Sequence, residues 1–141
     1  MSVEAKIILE KIEYKSGDKN FEGVVAFDDS IKEKRPGVIV FSNWMGISDE
    51  TKAKLTGLAK LGYVAMAGDI YGKGMNPKDA KEASSLATIY KNDRKLLRER
   101  ANLALDQLAK NPKVDSKNIT CASPPVNSYL EFWGWMVARM G

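Results

Sequence analysis

The chain has 141 residues, 44% of them hydrophobic, with 22 Lys plus Arg against 18 Asp plus Glu and a formal charge of +4. That fits one globular domain over residues 1–141, able to bury about 68–70% of its unfolded surface without a disulfide or metal. The chain has no histidine and one cysteine, Cys121, so it cannot by itself assemble a Ser-His-Asp or Cys-His pair, a Cys/His zinc site or an internal disulfide.

Met1 to Glu10 carries acids and no long apolar stretch, so it does not read as a signal peptide. No apolar run approaches the ~20 residues of a membrane span, and no membrane partner is expected. The cytoplasm is the expected compartment, and a lone reduced cysteine fits it. Ala5 to Tyr14 alternates Ile7, Leu9 and Ile12 roughly with charged residues, which predicts a half-exposed strand. Ser16 to Asn20 is a turn by composition, and Phe21 to Phe27 returns as a second strand. An antiparallel hairpin at a sheet edge follows. Ser30 to Arg35 is polar and predicts a loop.

From Pro36 the pattern changes. Gly37 to Phe41 is continuously apolar, as for a strand covered on both faces. After the loop from Ser42 to Ile47, Ser48 is a candidate N-cap, with Asp49 and Glu50 placed to favour the helix dipole. Leu55, Leu58 and Ala59 follow at helical spacing, and Gly62 ends the helix. Tyr63 to Ala67 is another buried strand, so this strand–helix–strand unit predicts parallel pairing. Gly68 to Pro77 is a glycine-rich loop; helices are predicted over Lys78 to Tyr90 and Asp93 to Lys110. Pro112 to Asp115 is a predicted turn and Asn118 to Ala122 a short strand. The alternation predicts an α/β fold, a mostly parallel sheet with helices on both faces.

The last segment, 123–141, departs from this rhythm. Ser123-Pro124-Pro125 stops the strand, and Tyr129 to Met136 holds two of the three tryptophans. A helix and a partner-facing hydrophobic segment are both open readings there, and self-association through 129–136 is one expectation. The densest basic run, Lys91, Arg94, Lys95, Arg98 and Arg100, is broken by Asp93 and Glu99. It reads as a solvated helix face, and no nucleic-acid partner is expected.

In an open α/β sheet, ligands bind beyond the carboxyl ends of the strands. Gly72-Lys73-Gly74 lacks the spacing and the Ser/Thr of a Walker loop, and no G-x-G-x-x-G follows the first buried strand. No cofactor is therefore expected. In the loop Phe41 to Gly46, backbone N–H groups can face a developing oxyanion, or Trp44 can simply plug the core.

Residues 36–49 (PGVIVFSNWMGISD) and 58–74 (LAKLGYVAMAGDIYGKG), then Asn76 to Ala80 and Ala109 to Asp115, resemble the dienelactone hydrolase family of α/β-hydrolases. The resemblance runs from Pro36 to about Ile119. It implies an α/β-hydrolase fold with an N-terminal antiparallel hairpin, a small-molecule ester or lactone substrate, and a Cys, Asp and His triad. The Cys should sit on a G-x-C-x-G elbow just after the strand at 118–122, and that elbow is not recognisable. Counted forward from Val114-Asp115 its position falls on Pro125; counted back from Ala138 to Gly141 it falls on Ser128.

Ser128 is the candidate nucleophile, although G-x-S-x-G would need glycine where the chain has Val126 and Leu130. Cys121 is a second candidate, but it lies inside the predicted strand and reads as a small buried apolar residue. Asn43 and Trp44 are the candidate oxyanion-loop residues. Asn43 stands where many members carry a Glu, and it cannot take a proton. Asp69 is expected to hold backbone N–H groups of its loop. The resemblance puts the acid and base beyond residue 141. The expectation is the amino-terminal portion of such a protein, altered after residue 122, for which a shifted reading frame is one explanation, and inactive alone. The alternative is a non-catalytic module that associates through its aromatic segment.

Overall fold

The computed structural model describes residues 6–41 and 46–122, the last two by backbone alone. The elements in chain order are β1 (Ile7–Ser16), β2 (Lys19–Asp28), β3 (Arg35–Phe41), α1 (Asp49–Lys60), β4 (Val64–Gly68), α2 (Ala80–Asn92), α3 (Arg94–Ala109) and β5 (Val114–Ala122). The strands form one mixed sheet in the order β1-β2-β4-β3-β5. β1 pairs antiparallel with β2, and β2 with β4, while β3 lies parallel to both β4 and β5.

Period-two alternation sorts the strand residues onto two faces. Phe21, Val25 and Phe27 of β2, Ile39 and Phe41 of β3, and Met66 of β4 share one cluster with Leu97, Ala101, Ala104 and Leu108 of α3. Val24 and Ala26, Val38 and Val40, and Ala65 and Ala67 share the other with Leu55 and Ala59 of α1. Large residues thus meet α3, and small ones meet α1. Gly23, Gly37 and Gly68 are the exceptions on the α3 face. A Cβ at Gly68 would lie 2.7 Å from the Phe41 ring and 2.8 Å from the Ala104 Cβ, so glycine is what lets α3 seat there.

The helix starts follow their caps. Ser48 and Thr51 form a reciprocal capping box at α1. The Asp79 carboxylate accepts from the Glu82 N–H at α2, and that of Asp93 accepts from the Leu96 N–H at α3. Gly62 takes φ +100 just past Leu61, the C-cap of α1. Gly57 is different: it lies exposed inside α1, and a Cβ there would meet nothing within 4 Å. Gly57→Ala should therefore stabilise the fold by about 0.5–1 kcal/mol through helix propensity. A urea midpoint at or below that of the unsubstituted chain would contradict this.

Most element ends shift by one or two residues from the sequence expectation, and two starts have a specific cause. β3 begins at Arg35, whose Nη1 donates to the Asp28 carbonyl at 2.7 Å, so the charged residue is buried with its donor satisfied. β5 begins at Val114, not Asn118. Val114 and Asp115 pair with Arg35 and Pro36, then the register jumps so that Ile119 pairs with Gly37. The irregularity spans 116–118, where the Asp115 carboxylate accepts from the Lys117 N–H and the Asn118 amide. That Asx-type turn made the segment look like a loop by composition.

Candidate active site

A cleft of about 160 Å³ opens at the carboxyl ends of β3 and β4. Its described walls come from Gly46 and Ile47 before α1, Lys52 of α1, Lys11 of β1, Glu22 and Val24 of β2, and the end of β4 with the loop after it, from Gly68 to Asn76. Connections that leave neighbouring parallel strands for different elements leave such a crevice. The segment 68–74 is the best-anchored part of it. The Asp69 carboxylate accepts from the Glu22 N–H at 2.9 Å and the Gly72 N–H at 3.0 Å. The Tyr14 hydroxyl accepts from the Asp69 N–H at 3.2 Å and donates to the Asp69 carbonyl at 3.4 Å. The Lys73 N–H donates to the Asn20 carbonyl at 2.9 Å.

Charge reinforces this on the hairpin side. The Lys73 ammonium pairs with Glu13 and lies 4.0 Å from Glu22, which in turn lies 3.8 Å from Lys11. Glu13 and Lys73 are exposed, so these pairs orient the loop more than they stabilise it. Burial pushes the Asp69 carboxyl above its ordinary range, and the N–H groups it accepts from and the Arg100 guanidinium oppose that shift. The Tyr14, Tyr71 and Tyr90 phenols are also pushed up by burial, so they stay neutral donors or acceptors.

Asp69 thus does what its sequence context suggested: it binds backbone donors and does not face a base. Cys121 lies in β5, the last strand of the described sheet, where its backbone pairs with Ile39 of β3. Asn43, Trp44 and Ser128 lie outside the described residues. Among the described residues lining the cleft there is no serine, cysteine or histidine. Those residues can bind and orient a polar small molecule, and they supply no nucleophile–base pair. No group of His, Cys, Asp and Glu among the described residues could hold a metal ion.

The residue that sequence reasoning missed is Arg100. The other basic residues of its run are exposed, but Arg100 is half-buried and turned inward. Its Nη1 donates to the Ile70 carbonyl at 2.7 Å and to the Tyr90 hydroxyl at 2.8 Å. Its guanidinium lies 4.7 Å from the centroid of Phe21 and 5.4 Å from that of Tyr90. A signal existed: Arg100 is three residues after Leu97 and four before Ala104, on the apolar stripe itself.

A mixed sheet with an antiparallel hairpin at one edge, a parallel pair joined by a helix, and a cleft at the carboxyl ends defines the amino-terminal part of an α/β-hydrolase-like fold. The profile of the dienelactone hydrolase family matches residues 21–122, and the chain belongs to that family. Among solved structures, it is 34% identical to a dienelactone hydrolase-like promiscuous phosphotriesterase from metagenomic libraries. That match covers 84% of this chain and 48% of the other, with a TM-score of 0.78. A putative dienelactone hydrolase from Klebsiella pneumoniae subsp. pneumoniae shares the fold at 19% identity and a TM-score of 0.69, over 82% of this chain and 49% of that one. No curated protein matches the chain in sequence. The chain spans about half the length of these solved relatives. No helix among the described residues is long and apolar enough to cross a membrane.

Proposed function

We propose that this chain is the binding-cleft portion of a carboxylic ester or lactone hydrolase acting on a small molecule in the cytoplasm, and that it is inactive alone. The observation that carries this is the cleft at the ends of β3 and β4 in a chain of this family. On this reading, backbone N–H groups of residues 42–46, with Asn43 and Trp44, would stabilise the oxyanion of a tetrahedral intermediate. Ser128, following β5, is the nucleophile this reading assigns, and Cys121 the lesser alternative. An acid and a base in family context would have to come from residues outside this chain.

A nucleophile without a base loses most of its rate. The purified chain should therefore hydrolyse p-nitrophenyl acetate no faster than buffer. Turnover that Ser128→Ala abolishes would overturn the inactivity. If a longer form carrying an Asp and a His in family context also fails to cleave the ester, the hydrolase reading is wrong. A second reading, association through 129–136, is favoured by β5 being the last strand of the described sheet, with a strand partner on one side. A monomer by light scattering at high micromolar concentration would count against it.

A further inference from the structure

We infer that Arg100 is a positioning residue for the cleft, acting from the α3 face of the sheet through the Ile70 carbonyl to hold the 69–73 loop in shape. The inference rests on the site reading given above. It goes beyond that reading by assigning control of the cleft to a helix that does not line it.

No α3 residue is among the described residues of the cleft wall, and Val24 and Lys52 show that the cleft opens on the α1 side. Arg100 approaches from the other side, against the face of Phe21, which belongs to the α3 cluster. One nitrogen, Nη1, serves two acceptors: the Ile70 carbonyl inside the loop and the Tyr90 hydroxyl on α2. The Tyr90 ring lies 5.5 Å from that of Tyr71, the next loop residue. Two consecutive loop residues are thus tied to α2 and α3. Of the residues flanking them, Asp69 is tied to the hairpin through Glu22 and Tyr14 and Lys73 through Asn20, while the Gly72 N–H donates to the Asp69 carboxylate.

The chemistry favours arginine specifically. A planar guanidinium can lie over an aromatic face while its edge donates in plane, which an ammonium cannot do. The same cation acts on Asp69 through space and favours its ionised form, which is the form that receives the Glu22 and Gly72 N–H groups. Removing Arg100 should therefore loosen the loop in two ways: Ile70 loses its donor, and the carboxylate that gathers the loop amides is disfavoured.

The test uses the full chain and compares Arg100→Met and Arg100→Lys with the parent by NMR. In the Met variant, exchange of the Gly72 and Lys73 amides should speed up about tenfold, while those of Leu55 and Ala59 in α1 stay at their parental rates. The Asp69 carboxyl should titrate at higher pH than in the parent. Lysine at 100 should bring the Asp69 titration back toward the parent, because the charge returns, but should restore the amide protection only in part. Unchanged loop amides with an unchanged Asp69 titration would overturn the proposal. So would loop and α1 amides accelerating by the same factor, which is what general loosening gives. If the Met variant does not fold, Arg100→Lys carries the test: Gly72 and Lys73 should exchange about threefold faster than in the parent while Leu55 and Ala59 do not, and parental rates at Gly72 and Lys73 would overturn the proposal. None of these readouts needs turnover, so they can fail while the hydrolase reading stands, and the reverse.

Discussion

A chain carrying Gly68→Val should unfold about 10 °C below the parent, an overpacking cost of about 3 kcal/mol in a domain of this size. Gly68 pairs with Phe41 at the end of β4, and the added Cβ would enter the space already held by the Phe41 ring and Ala104. Neither neighbour can step aside easily. Phe41 is fully buried in a strand flanked by β4 and β5, and Ala104 is fixed in the middle of α3. Two further methyl groups must then force α3 from the sheet. The same movement would disturb the cleft, which Gly68 borders. Thermal unfolding followed by circular dichroism checks this, and a midpoint within about 2 °C of the parent would refute the close approach of α3.

Asp69→Ala should cost about 2–4 kcal/mol near neutral pH, since the backbone N–H groups of Glu22, Gly72 and Tyr71 lose a charged acceptor and part of that gain was already offset by burial of the carboxylate. Asp69→Asn should cost less, because its amide oxygen can still accept from some of these N–H groups. Its difference from the parent should also depend on pH in a defined direction. Burial raises the Asp69 carboxyl in the folded chain above its ordinary value of 3.8. The folded state therefore holds the proton more tightly than the unfolded state. The resulting stability is complete below the unfolded value and is lost as pH rises through the raised folded value. The parent's stability relative to Asp69→Asn should fall from about pH 3.8 upward and level off above the folded value. Urea unfolding of both proteins between pH 3.5 and 7 measures it, and a relative stability that rises across that window would contradict the assignment.

Much of the scaffold is visible in the sequence for local reasons. Val38 to Phe41 and Val64 to Ala67 are apolar without a break, and a strand covered on both faces needs that. Ser48, with Asp49 and Glu50 behind it, marks the start of α1 as a side-chain acceptor followed by charges suited to the dipole. Gly62 marks its end because φ +100 is open to glycine. The start of β5 was hidden because Asp115 to Asn118 carries turn chemistry inside a strand. The α/β alternation directed attention to the carboxyl ends of the strands, and the G-D-I-Y-G-K-G run does form a wall of the cleft there.

What the sequence determined by itself is the set of elements, their order, their buried faces and the absence of histidine, since each follows from residue type or from a period of two or 3.6. It also determined the role of Asp69 as a binder of loop amides, because Gly72 is only three residues away. The strand order β1-β2-β4-β3-β5, the break in register opposite Pro36 and Gly37, and the inward turn of Arg100 were decided by the tertiary structure. Arg100 meets Ile70 across 30 residues of chain, and Asp69 meets Glu22 across 47. No local pattern encodes such pairs. They form because packing large residues against α3 and small ones against α1 leaves one arrangement in which every buried polar group on these segments finds its partner.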